Sequence, residues 1–333
     1  MRAVVLDKPG SLSVTTVHDP TPEPRSVVLE IDGCGICGTD IHLIDGELPY
    51  QPYPVIPGHE FAGTVVAVGA DVTEFAVGDR VAADPNVFCG ECHYCLIGRG
   101  NLCIHYGALG VTRDGACAEY LAVPVANCFR LPDEMPLEIA PLIEPLSCVV
   151  HGFDLLPGRV GEHYLIYGAG TMGLMNAQMA ARAGAASVSV IDLNEARLTV
   201  AKELGVDAVS KGADELDRPE GWEVVIDCTG VISAIEDGLG RVRPGGTFQM
   251  FGVAAADAIA KVSPFQIYKD EITIVGSMAV LHSFGRAVDL MAKGVVDADT
   301  LISHRYALHD YAAAVTDFRA GAGLKLQIRP GGT

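Results

Sequence analysis

The chain has 333 residues, 49% apolar and 20% charged, the make-up of a globular protein with room for two domains. Its 42 acidic residues against 23 basic ones give a net charge of −19, which leaves no basic footprint for nucleic acid or an anionic membrane. No long apolar run reads as a membrane helix and no signal-peptide pattern is seen, so ten cysteines point to a reducing, cytoplasmic setting.

The first third reads as short strands, at 27–31 and 63–68, punctuated by Pro and Gly as in Pro20-Thr-Pro22-Glu-Pro24. A small, mainly β domain is expected there. Two segments inside it carry metal-ligand chemistry: Gly35-Ile-Cys37-Gly-Thr39-Asp40-Ile-His42 and Pro57-Gly58-His59-Glu60. A thiolate and an imidazole are good Zn²⁺ ligands, and a carboxylate can complete a three-ligand site with one position open. Each residue alone also reads as an ordinary structural group.

Next come Cys89, Cys92 and Cys95 within seven residues, then Cys103 after seven more. Four thiolates at this spacing suit a closed tetrahedral Zn²⁺ site. Separate buried thiols and disulfides are the alternatives, and three cysteines packed this closely favour one ion. The lobe should occupy about 86–105.

Glu144 lies in Leu142-Ile-Glu144-Pro-Leu-Ser147, where a carboxylate at a helix start also suits the helix dipole. From about residue 160 strands and helices alternate. Strands are expected at 164–167, 187–191, 224–228, 247–251 and 272–275, with helices running to 183, from Asn194 to about 204, and over 286–291. That order implies a doubly wound parallel sheet. Gly168-Ala-Gly170-Thr171-Met172-Gly173 follows a strand and opens a helix, the setting a dinucleotide-binding loop needs. Asp192, 19 residues beyond Gly173, ends the next strand, where a carboxylate favours ribose hydroxyls over a 2′-phosphate. NAD is therefore expected over NADP. Arg197 dissents, since a guanidinium there can meet a 2′-phosphate, stack on adenine or stay solvated. Thr229, Gly230, Val253 and Ser277 follow sheet strands and should line the cofactor.

Taken together, these segments resemble the zinc-dependent medium-chain alcohol dehydrogenases almost end to end. The Gly58-His59-Glu60 segment, the four-cysteine lobe, Ala118-Glu119-Tyr120 and the glycine loop carry the resemblance. Glu144 points to the polyol (sorbitol, xylitol, arabitol) branch, which has glutamate where classical alcohol dehydrogenases place a cysteine ligand. The resemblance implies an α/β protein with a GroES-like, mainly β catalytic domain over 1–150, a Rossmann-type domain over 151–285, and a tail over 286–333 that rejoins the first. It also implies two Zn²⁺ per chain: a structural ion on the four cysteines, and a catalytic ion on Cys37, His59 and Glu60, with Glu144 close by. Asp40 would orient His59. Thr39 would take the alcohol proton and pass it by way of the cofactor ribose to His42. The partners implied are a small alcohol or polyol and a second or fourth copy of the chain, as homodimer or homotetramer. Threonine or short-chain diol dehydrogenases share this frame, and a non-catalytic cofactor-binding protein would have lost part of it. In animal sorbitol dehydrogenases an Arg-Tyr pair follows the strand near 275, but here the segment runs Gly276-Ser-Met-Ala-Val-Leu-His282. That departure puts sorbitol itself in doubt. Tyr50, Phe88 and His282 can line a substrate pocket or simply pack.

Overall fold

In the computed structural model, which describes residues 1–48 and 52–332, the chain forms two compact units. One comprises residues 1–147, 280–294 and 298–333, the other 148–279 and 295–297.

The first unit is built on a mixed seven-stranded sheet. Its central strand, Ser26–Gly35, pairs with Glu60–Val68, Tyr120–Pro124 and the C-terminal strand Lys325–Arg329. A strand so surrounded must be apolar on both faces, which explains the run Val27-Val28-Leu29. The strand is longer than the expected 27–31. It continues through Gly33 and Gly35, where the missing side chains let Pro141 and Glu60 approach. Leu29, Ile31, Phe61, Val65, Tyr311, Leu326 and Ile328 fill the core beneath.

The chain rejoins this unit at Val280, earlier than the expected 286. The helix Phe284–Ala292 buries Phe284, Ala287, Val288 and Met291, one continuous helical face, and the ring of Phe284 lies 4.8 Å from that of Phe129. That aromatic contact draws in the residues just before the expected start.

The second unit is a six-stranded parallel sheet flanked by helices. Its order is Ala208–Ser210, Ser187–Ile191, His163–Tyr167, Trp222–Asp227, Val242–Met250, Thr273–Gly276. The doubly wound arrangement expected from the sequence is therefore present, and the strand order reverses beside His163–Tyr167. The strand Ala208–Ser210 was not anticipated, because three residues are too short for a pattern to show. The helix Glu195–Glu203 starts where predicted: Asn194 Oδ1 accepts from the N–H groups of Ala196 and Arg197 at 3.0 and 3.3 Å. Among the described residues, no helix is long and apolar enough to cross a membrane.

Candidate active site

The candidate metal ligands of the first unit come from two places in the chain. Cys37 immediately precedes the helix Gly38–Asp45, and His59 and Glu60 open the strand Glu60–Val68. Asp40, in the first turn of that helix, reaches back so that its Oδ2 accepts the backbone N–H of Cys37 at 2.9 Å. Cys37, His59 and Glu60 each offer a ligand atom, and these atoms lie within 4.8 Å of one another. Glu144 is not part of that set.

Two buried polar atoms beside it have no hydrogen-bond partner: His59 Nδ1 and Asp40 Oδ1, 3.6 Å apart. That distance is too long for a hydrogen bond. An imidazole ligated through Nε2 carries its proton on Nδ1 and needs an acceptor there, and Asp40 is placed to supply one. The donor types, their spacing and this unpaired couple all fit a Zn²⁺ ion. Burial is the largest influence on His59 and opposes a charged ring, yet Asp40 and Cys37 outweigh it and hold the imidazole well above its ordinary pKa.

Glu60 has a partner that local sequence could not show. Lys325 Nζ donates to Glu60 Oε1 at 2.7 Å and Oε2 at 2.6 Å, and to the carbonyl of Ile36 at 3.2 Å. Both side chains are fully enclosed, at 5% and 1% exposure. Burial opposes the charge of Lys325, but Glu60 and Cys37 outweigh it and raise its pKa. Gly35 makes this packing possible, since a Cβ there would fall 2.0 Å from Glu60 Oε2. Glu144, on the helix Ile143–Asp154, is buried too. Desolvation pushes its carboxyl up to about 7, with His59 and Lys325 pulling it down and Glu60 and Asp84 pushing it up.

Thr39 Oγ1 lies 3.9 Å from Cys37 Sγ. His42, one turn further along the helix, is held through Nδ1 by Glu47 Oε2 at 2.6 Å. The ring of Phe88 lies beside Gly100 within the lobe yet is 43% exposed, and His282 Nε2 meets the Gly98 carbonyl at 3.1 Å, tying the lobe down. Tyr50 falls outside the described residues.

The four lobe cysteines are unpaired, and their sulfurs come together at 3.5 to 3.9 Å along Cys89–Cys103, Cys92–Cys95, Cys89–Cys95 and Cys92–Cys103. Sulfurs on a tetrahedral Zn²⁺ with bonds near 2.3 Å stand about 3.8 Å apart. Backbone N–H groups of Cys92, Cys89 and His105 point at Cys89 or Cys103 sulfur at 3.2 to 3.4 Å, as thiolates require. The N–H groups of Cys95 and Ile104 draw the Cys92 thiol down to about 6. No open position remains at such an ion.

In the second unit the loop 168–173 joins the strand His163–Tyr167 to the helix Thr171–Arg182. Gly173 must be glycine, because a Cβ would lie 1.7 Å from the Gly168 carbonyl oxygen. Gly170 faces open space, with only Arg197 Nη1 at 4.0 Å from where a Cβ would stand. The backbone can thus approach a pyrophosphate, and Thr171 and Met172 present the helix N-terminus to it. Asp192 Oδ2 accepts the Ala169 N–H at 2.7 Å and Oδ1 that of Asn194 at 2.8 Å, which fixes the carboxylate beside the loop. Sequence reading missed Asp227. Fully buried at the end of Trp222–Asp227, its carboxylate accepts the N–H groups of Thr229 and Gly230 at 3.0 Å each and the Thr229 hydroxyl at 2.6 Å. Its carbonyl accepts from Phe251 and Gly252. One residue thus sets the strand-end loops carrying Thr229, Gly230 and Val253, while Ser277 is placed by its N–H to Met250. A strand-terminal Asp followed by Cys-Thr-Gly was the available signal.

Residues 23–133 match the alcohol dehydrogenase GroES-like domain and residues 171–293 the zinc-binding dehydrogenase model. D-arabinitol dehydrogenase 1 of Uromyces fabae is 35% identical, covering 99% of this chain and 97% of the relative. D-altritol 5-dehydrogenase of Agrobacterium fabrum is 37% identical over 86% and 87% of the two chains. L-threonine 3-dehydrogenase of Mesorhizobium japonicum is 35% identical over 92% of each. Among solved structures, a provisionally assigned zinc-binding dehydrogenase of Sinorhizobium meliloti bound to NADP superposes with a TM-score of 0.95 at 35% identity, covering 99% of both chains. On its fold, its two thiolate-bearing clusters and its end-to-end similarity, the chain belongs to the zinc-dependent medium-chain alcohol and polyol dehydrogenase family.

Proposed function

We propose that this protein oxidises a secondary alcohol of a polyol to a ketone, using Zn²⁺ held by Cys37, His59 and Glu60 and NAD held by the second unit. The observation that carries the proposal is the convergence of those three donors within 4.8 Å. Zinc at such a site supplies Lewis acidity to a substrate hydroxyl, and the nicotinamide accepts the hydride. The chain's own residues do the rest. Asp40 orients the His59 ring. The hydroxyl of Thr39 takes the proton from the substrate hydroxyl and passes its own on along a relay that ends at His42. His42, steered by Glu47, releases that proton to water. Glu144 keeps a second carboxyl near the ligands, and the four lobe cysteines hold a structural ion.

Asp192 beside the glycine loop supports NAD, since a fixed carboxylate repels a 2′-phosphate. Ten cysteines with no disulfide among the described residues suit the cytoplasm. Self-association through the Thr273–Gly276 edge of the parallel sheet is the partner interaction we favour, as a homodimer or a pair of such dimers.

A panel of tetritols, pentitols, hexitols, short diols and L-threonine, with NAD and NADP each as acceptor, tests this reading. Turnover on polyols with NAD, and two zinc ions per chain, is the expected result. Faster turnover of L-threonine moves the enzyme to the threonine branch. A faster rate with NADP overturns the role given to Asp192.

A further inference from the structure

Lys325 is a buried charged residue of the metal-ligand neighbourhood that the reaction above leaves without a task. It sits 265 positions from Glu60 in sequence, yet the ammonium group gives all three of its N–H bonds to that neighbourhood: two to the Glu60 oxygens and one to Ile36. The backbone sets it there. Gln327 pairs with Gly35 across the sheet, and the N–H of Ile36 donates to the Leu326 carbonyl at 2.9 Å. A lysine this enclosed is rare unless paired, because its desolvation is costly. An apolar side chain would fill the same place without that cost. What the lysine adds is a positive charge on both oxygens of a carboxylate that is also one of three metal donors.

We propose that Lys325 competes with the catalytic metal for Glu60 and thereby sets how readily that metal is taken up and released. The proposal rests on the assignment of Cys37, His59 and Glu60 as the catalytic zinc ligands. A metal ion on Glu60 must share the carboxylate with the ammonium group, at the loss of an N–H···O bond and against the repulsion between two cations in a poorly screened interior. When the metal leaves, Lys325 reclaims both oxygens, so the pocket keeps its shape and no buried carboxylate is left unpaired. The lysine is thus a reversible stand-in for the metal.

The test follows metal release rather than turnover. The full-length protein carrying both ions is mixed with excess chromogenic chelator, and zinc release is timed in the parent, Lys325→Met and Lys325→Arg. Release from the four-cysteine site serves as the folding control, because that lobe is remote from Lys325 in the chain and keeps its rate in any folded variant. Lys325→Met should release the Cys37-site zinc at least tenfold more slowly than the parent. Lys325→Arg, whose guanidinium fork matches a carboxylate, should release it at the parent's rate or faster. Cobalt substituted at this site should change its visible spectrum in Lys325→Met and keep it in Lys325→Arg. Unchanged or faster release from Lys325→Met, with the cysteine site intact, overturns the proposal and leaves the ligand assignment standing. Should Lys325→Met fail the folding control, Lys325→Arg decides: release slower than the parent's then overturns the proposal. A parent that carries only the four-cysteine ion overturns the ligand assignment and this proposal with it.

Discussion

Two buried glutamates belong to the metal-ligand neighbourhood, Glu60 as one of the three donors and Glu144 outside the set, and they differ in their surroundings. Glu60 has a cation on both oxygens, whereas the carboxyl of Glu144 is dominated by desolvation and pushed up to about 7. Ligation is expected from Glu60 together with Cys37 and His59, because their donor atoms lie within 4.8 Å of one another. Replacing Cys37 by Ala removes one of three donors, and should lower turnover by roughly a thousandfold or more, given the several kcal/mol a Lewis acid contributes. Zinc should fall from two ions per chain to one while NAD still binds. Metal analysis and fluorescence titration of NADH check both, and a Cys37→Ala protein with near-parent turnover contradicts the metal mechanism. Asp84 offers a pH test away from the ligands. Its Oδ1 accepts from the N–H and side-chain amide of Asn86, but burial, the largest influence, still raises its carboxyl from 3.8 to about 6. A folded pKa above the unfolded one means the folded state resists ionisation. The cost is absent below pH 3.8, grows between 3.8 and about 6, and is complete above. Roughly two units correspond to about 3 kcal/mol, and partial exposure brings the expected effect nearer 1–2 kcal/mol. Asp84→Asn keeps the accepting oxygen, so it should be more stable than the parent above pH 6, with the difference shrinking towards pH 4. Denaturant titrations across that range measure it, and a difference that does not vary with pH rejects the argument.

At the scale of elements, the lobe between Cys89 and Cys103 has its sulfurs, the His282–Gly98 hydrogen bond and the buried turn at Gly100 and Asn101 to hold it. The helix His93–Leu96 is one turn long and buries no residue, and Leu96, Ile97 and Ile104 are exposed. Folding of such a segment is metal binding by another name. Cys92→Ala should lower the melting temperature by about 5–10 °C, on an expected loss of some 3 kcal/mol, and remove the cysteine-site zinc before any change at Cys37. A variant inactive yet as heat-stable as the parent contradicts the structural role. This lobe was legible because its four residues lie within 15 positions and their chemistry is local. The glycine loop was legible for the same reason: Gly168 takes a positive φ, Gly170 leaves the approach open, and Gly173 answers a steric demand made within one turn. The strand Ala208–Ser210 was not, being held by its neighbour rather than by any pattern of its own. Nor was Lys325, which reads as a surface charge on a C-terminal strand until that strand is laid beside Ser26–Gly35. Asp227 falls between these cases, since its place at a strand end was visible while its grip on two loops was not.

For the whole molecule, the parallel sheet poses a question of its own. Its order ends at Thr273–Gly276, a strand that among the described residues pairs on one side, to Val242–Met250. An edge with free N–H and C=O groups invites another strand unless charge, proline or a covering element blocks it. Here Thr273 and Gly276 are exposed and uncharged, and Ile274 is 37% exposed with Met278 beyond it at 43%. Phe265 and Tyr268, on the helix Pro264–Lys269 that precedes the strand, are 70% and 82% exposed, the kind of apolar surface that suits a partner contact. Under the proposed self-association, a two-fold axis at the edge would bring this surface against itself and satisfy both strands at once. With a net charge of −19 on each copy, distant repulsion opposes the pairing, so adding salt should strengthen it. Ile274→Lys places like charges across the axis and should turn the assembly into monomers, or tetramers into a smaller species, by light scattering after gel filtration. Both zinc ions should remain, since Ile274 belongs to the unit that contains neither cluster. An unchanged mass for Ile274→Lys at low and high salt places the contact elsewhere.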